Sequence, residues 1–212
     1  MSTLVLPTNQ EFKKTLYFKK GENPFMIIDT IKYFYFIISG KMKIFDINFE
    51  NEKEQILYLL TSGDMFDIKG LLNQQEVKYS GEVLEDLEVI QIPSENVHKM
   101  ILENERFRNY FYSYVSKQLE HTEDLLVDIS LYDVYTRMLK LFYNFGKNLS
   151  VGKPLSLLKD LTQDDLASMI GTVRRVFNRN LQKMKKNNLI EIKRKEIFIK
   201  NLKKLENEME KF

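Results

Sequence analysis

The chain has 212 residues, of which 43% are hydrophobic and 29% charged, with a formal net charge of +2. That length and balance fit one large or two small globular domains and exclude a disordered chain. Cysteine is absent, which excludes disulfides, thiolate zinc sites, iron–sulfur clusters and cysteine nucleophiles.

Two histidines, His98 and His121, are too few for a multi-histidine centre, so no metal ion and no cofactor is expected. The longest purely apolar runs, such as residues 34–38, fall far short of the ~20 residues that cross a bilayer. Residues 1–7 lack the basic flank and apolar stretch of a secretory leader, so a cytoplasmic protein is expected. The modest net charge hides a division. Residues 1–135 hold 14 Lys+Arg and 22 Asp+Glu, whereas residues 136–212 hold 18 and 8. A basic last third points to a polyanionic partner, and a solvated lysine-rich tail is the plainer alternative.

From residue 11 to residue 92, short apolar runs alternate with the turn signals Asn23-Pro24, Ser39-Gly40, Ser62-Gly63-Asp64 and Ser80-Gly81. Runs at 25–28, 33–38, 42–47, 55–60 and 87–92 are rich in β-branched and aromatic residues and are read as strands of a sandwich or roll. Pro93-Ser94 opens a helical stretch with Val97 and Ile101 on one face. Residues 103–130 contain neither Gly nor Pro. Phe111, Val115, Leu119, Thr122, Leu126 and Ile129 recur there at spacings of three and four, the period of a coiled-coil seam. A helix packed in its own domain would show a similar stripe. The narrowness and length of this one favour a partner helix of equal length, hence a dimer. A second helix is expected over 132–145, capped by Gly146, followed by a loop to residue 154.

The clearest local mechanics lie further on. Thr162-Gln163-Asp164-Asp165 has the spacing of a capping box, with Leu166, Met169 and Ile170 as the buried stripe. Gly171 permits a left-handed turn, and Thr172 is placed to cap the next helix. On that helix a step of ~100° per residue gathers Arg174, Arg175, Asn178, Arg179, Gln182, Lys183, Lys185 and Lys186 on one face. Val173, Val176, Phe177, Leu181 and Met184 fall opposite, with Asn180 the misfit among them. The polar face carries no carboxylate, whereas an ordinary solvated helix mixes Glu with its Lys and Arg. Arg pairs bidentately with guanine, Asn or Gln with adenine, and Lys with phosphate. Residues 189–192 and 196–199 alternate as two short strands around Lys193-Arg194-Lys195, a hairpin whose tip at Lys195 is placed for backbone phosphate. Helix, turn, helix and cationic wing together predict a DNA-binding module.

The sequence resembles the CRP/FNR family of bacterial transcription regulators over nearly its whole length. The strongest match runs from Leu161-Thr162-Gln163 to Leu189-Ile190, including Gly171 and the frame of Arg174 and Arg179. Phe36-Ile37-Ile38-Ser39-Gly40-Lys41-Met42-Lys43-Ile44 and Leu59-Leu60-Thr61-Ser62-Gly63-Asp64-Met65-Phe66 are similar to the family's β-roll sensor. Val83-Leu84-Glu85-Asp86-Leu87-Glu88-Val89 is similar to its closing strand.

The resemblance implies an α+β protein: an N-terminal antiparallel β-roll (a cupin-like sensor) over 1–102, a long dimerisation helix over 103–130 and a C-terminal winged helix-turn-helix domain over 131–212. It implies a homodimer that sets its recognition helices in major grooves ~34 Å apart on a near-palindromic site. The DNA-binding residues expected are Thr162, Thr172, Arg174, Arg175, Asn178, Arg179, Gln182, Lys183 and Lys195. The partners expected are double-stranded promoter DNA, a second copy of the chain, RNA polymerase and a small-molecule effector of unknown identity, with no membrane and no enzymatic activity.

The sequence departs from the family where cyclic nucleotide is held. Phe66-Asp67-Ile68 stands in place of Phe-Gly-Glu, Val77-Lys78 in place of an Arg-Ser pair, and Thr122-Glu123 in place of a Thr-Ser pair. A cyclic phosphate needs a cation and convergent N–H donors, so a sensor without that ligand is expected. Members that read guanine-rich half-sites often carry Arg-Glu where Arg174-Arg175 stands here, which predicts a changed half-site. The alternative from another class is a roll-fold small-molecule-binding protein or enzyme with an idle basic tail. Clustered His and Glu, the usual metal ligands of such rolls, are not present for it.

Overall fold

The computed structural model describes residues 13–29, 31–73, 79–150, 153–194 and 196–210. The chain divides into two compact units, Met1–Thr122 and Glu123–Phe212.

The first unit is built on an antiparallel sheet in the order β1-β5-β2-β3, with β4 on β2. These strands are β1 Lys14–Phe18, β2 Tyr33–Asn48, β3 Lys53–Thr61, β4 Met65–Phe66 and β5 Ser80–Pro93. Both faces of β2 are covered, which explains its unbroken apolar run. Tyr35 and Ile37 join Phe18, Leu60, Phe66 and Val89 on one side. Phe34 and Phe36 join Ile92, Val97, Phe107 and Phe111 on the other. The aromatic cluster at 34–36 is therefore core. The short helix α1 (Ile68–Asn73) follows β4, and α2 (Ser94–Glu103) follows β5 and buries Val97 and Ile101 as expected.

Two sequence expectations change here. Residues 25–28 are not a strand: Pro24–Met26 forms a 3-10 turn, because the Asn23 side chain accepts from Phe25 N and Pro24 fills the first turn. Ser39-Gly40 is not a chain reversal either. Strand β2 runs through it with shifts of register against β5. Gly40 has φ +92°, and a Cβ there would overlap the backbone of Asp86 and Leu87. Gly40→Ala is expected to cost about 1–3 kcal/mol for the left-handed conformation alone, with the overlap added. A fall in the denaturant midpoint of the first unit's transition checks it.

The long helix α3 spans Glu105–Leu131. The second unit continues with α4 (Val134–Gly146), α5 (Gln163–Met169), α6 (Arg174–Lys186), β6 (Ile190–Lys193), β7 (Glu196–Ile199) and α7 (Leu202–Met209). Helix α4 packs on α6 and α7, and α5 packs on α6. Gly146 is the last residue of α4, with Lys147 as its cap. A Cβ there would meet the terminal methyl of Ile199, so that side chain would have to shift to admit a larger residue. Helix α7 was not anticipated from sequence.

Candidate nucleic-acid interface

Helix α5 opens on the expected capping box. Thr162 Oγ1 accepts from Asp165 N at 3.0 Å, and Asp165 Oδ2 accepts from Thr162 N at 2.7 Å. The turn to α6 passes through Gly171 at φ +65°, a conformation glycine adopts without strain. Thr172 does not cap α6. Its N–H donates to Ala167 O at 3.0 Å to close the turn, and Val173 occupies the N-cap position without a side-chain bond. Val173 is also exposed, against its place on the apolar face.

The two faces of α6 are otherwise as the spacing predicts. Phe177, Leu181 and Met184 are buried. Arg174, Arg175, Arg179, Gln182, Lys183, Lys185 and Lys186 are exposed. Asn180 resolves as a misfit by donating to Val176 O at 3.2 Å. Three of the polar residues also contact their own chain. Arg174 meets Asp164 at 3.1 Å, with both side chains more than half exposed, a surface pair of little energetic weight. Asn178, half-buried, donates to Gln163 Oε1 at 2.9 Å and so ties α6 to α5. Lys183 Nζ lies 4.0 Å above the Tyr135 ring.

Sequence reasoning missed the supports from α4. Asp133 caps that helix by accepting from Thr136 N at 2.8 Å, and this bond holds its carboxyl below the usual range. Arg137 Nη1 donates to Ile170 O at 2.6 Å, pinning the turn between α5 and α6. Burial lowers the Arg137 pKa, and no spacing rule singles that residue out. The wing is present: β6 and β7 pair antiparallel from Ile190↔Ile199 to Lys193↔Glu196. Arg194 at its tip has φ +48°, and Lys193 pairs with Glu191 at 2.9 Å. Lys195 lies outside the described residues.

The stripe on α3 divides. Phe111 is completely covered by its own chain and belongs to the core of the first unit, and Val115 packs partly against the same cluster. That removes Phe111 from any seam, because a side chain already buried has no surface left to offer. Thr122 is exposed and its hydroxyl shares a 3.0 Å hydrogen bond with that of Tyr58. Leu119, Leu126 and Ile129 are bare, at 59%, 67% and 41% exposure.

Within the first unit a cavity of about 80 Å³ lies among Phe25, Tyr58, Phe66, Lys69, Tyr79 and Gln118. That is small beside the ~300 Å³ of an ordinary ligand pocket. Asp67, where cyclic-nucleotide-binding members carry Gly, stands at φ +68° and accepts from Gly70 N at 3.0 Å. Val77 and Lys78 lie outside the described residues. Among the described residues no group of three or more His, Asp or Glu is placed to hold a metal ion. No described helix is long and apolar enough to cross a membrane.

Comparison with known proteins agrees with both halves. The cyclic nucleotide-binding domain family matches residues 15–104, and the Crp-like helix-turn-helix domain family matches residues 136–208. The chain belongs to the CRP/FNR family. It is a transcription regulator of that family, with an antiparallel sensor-type domain and a helix-turn-helix DNA-binding domain. The match of the basic third to a helix-turn-helix domain sets aside its reading as an idle tail.

Among CRP/FNR relatives, the fumarate and nitrate reduction regulatory protein of Yersinia pestis is 24% identical over 185 residues, 86% of this chain and 73% of that protein. The CRP-like cAMP-activated global transcriptional regulator of Mycobacterium tuberculosis is 22% identical over 173 residues, 81% of this chain and 77% of that protein. In fold, the structure of FixK2 from Bradyrhizobium japonicum superposes with a TM-score of 0.78 at 16% identity, covering 92% of this chain and 96% of that one.

Proposed function

We propose that the protein acts as a homodimer on a near-palindromic promoter site, with α6 of each copy in a major groove. The observation that carries this reading is the exposed face of α6, cationic and free of carboxylates, backed by a buried apolar face. Arg175, Arg179 and Gln182 are the base readers, since their exposed side chains are free to pair bidentately. Thr162, Thr172, Arg174, Lys183 and Lys195 contact phosphate, and Asn178 holds the register of α6 through Gln163. Leu119, Thr122, Leu126 and Ile129 form the dimer seam, with Val115 at its edge. RNA polymerase is met at the promoter, and the protein works in the cytoplasm, where the DNA is.

The sensor takes no cyclic nucleotide. The small cavity and the loss of Gly and Glu at Asp67-Ile68 support this.

Selection of bound fragments from a random DNA pool tests the proposal. An inverted repeat with half-sites about one helical turn apart is expected. Its affinity should fall with added salt at a log–log slope of about −5 or steeper, as six or more phosphates require. Cyclic AMP at about 1 mM, enough to fill even a weak site, should leave that affinity unchanged. Enrichment of no symmetric site together with a flat salt response would overturn the DNA reading. Tightening by cyclic AMP would overturn the sensor reading alone.

A further inference from the structure

A second cavity lies wholly in the winged unit and shares no residue with α6. It has a volume of about 310 Å³ and opens between the end of α4, the end of β7 and the start of α7. That volume is within the range of small-molecule sites and holds about ten water-sized groups.

The lining has two chemistries. Leu149, Ile199 and Leu202 supply apolar surface, and Lys153, Lys200 and Lys203 supply positive charge. No carboxylate lines the cavity, and none of the three lysines is in an ion pair among the described residues. Lys200 Nζ donates to Asn188 Oδ1 at 3.5 Å, and, after the hydrogen bond from Lys193, its charge helps to hold the Glu191 carboxyl below the usual range.

A ligand that suits both halves carries an anionic head and an apolar tail. The tail removes leucine and isoleucine surface from water, and the head neutralises cations that otherwise repel one another. Inorganic phosphate would leave the apolar wall wet, and a neutral hydrocarbon would leave the lysines unpaired. We propose that this cavity binds an organic anion with a medium-length alkyl chain, either a fatty carboxylate or an alkyl phosphate. Its wall is continuous with the wing: Leu155 N donates to Ile197 O at 2.8 Å, and Pro154 bridges to Phe198.

The chain has no tryptophan, so one placed at Leu149 on the cavity lining reports from that site alone. The full-length Leu149→Trp protein is titrated with decanoate, decyl phosphate, decanol and decyltrimethylammonium, beside a Tyr112→Trp control on α3. A saturable fluorescence shift is expected from one or both anions, and none in the control. Which anion acts identifies the head group. Decanol should bind about tenfold more weakly, as should decanoate to the Lys153→Gln/Lys203→Gln variant. If that variant melts early, weakening of decanoate binding by salt supplies the charge test. No saturable shift below about 1 mM, equal binding of decanol or the cationic amphiphile, or indifference to both lysine loss and salt would each overturn the proposal.

Discussion

Leu126→Asp is expected to split the protein into monomers and to weaken promoter binding by about a hundredfold or more. Leu126 is 67% exposed on a helix whose stripe is otherwise apolar at Leu119 and Ile129. An aspartate in such a seam faces its own symmetry mate, and two unpaired carboxylates out of water cost several kcal/mol. Each recognition helix would then bind alone. The advantage of linking two sites, typically 10²–10⁴ in affinity, would be lost. Sedimentation equilibrium and a DNA titration read the two effects separately. A Leu126→Asp protein that stays dimeric would place the seam elsewhere.

Phe177→Ala is expected to lower the stability of the winged unit by about 3–5 kcal/mol. Phe177 is completely buried on the inner face of α6, beside Leu181 and Met184. Removing its ring leaves a cavity under the helix that positions the reading residues. DNA binding should therefore fail through loss of fold, visible as an early thermal transition by circular dichroism. Changes on the outer face of α6 should leave that transition where it is. A Phe177→Ala protein that melts like the parent would mean that α6 is not anchored as described.

What could be read from sequence was mostly local. The capping box at Thr162 and Asp165, the left-handed Gly171 and the sidedness of α6 depend on residues within a few positions of one another. Chain neighbours settle such features. The misreadings have non-local or competing causes. Gly40 looked like a turn, but its left-handed conformation serves a strand that passes close to Asp86 and Leu87, 46 residues away and more. Phe111 shares the periodicity of Leu126, and periodicity cannot tell which turns of a helix its own domain covers. Residues 25–28 have strand composition, yet Asn23 and Pro24 impose a 3-10 turn. Helix α7 did leave a signal: Asn201 caps it by accepting from Lys204 N, and Leu202 and Leu205 share a face. The contact of Arg137 with Ile170 O joins residues 33 apart, and only the fold displays it.

The reading of α6 is tested most directly at Arg179, which is exposed and points from the face opposite Phe177. Site selection from random DNA should be run in parallel with the parent protein and Arg179→Ala, with thermal melts of both. The variant should melt as the parent does, lose ~1–3 kcal/mol on the parent's preferred site, and become indifferent at one base position in each half-site. An unchanged affinity and an unchanged base preference at every position would contradict the assignment of that face to DNA.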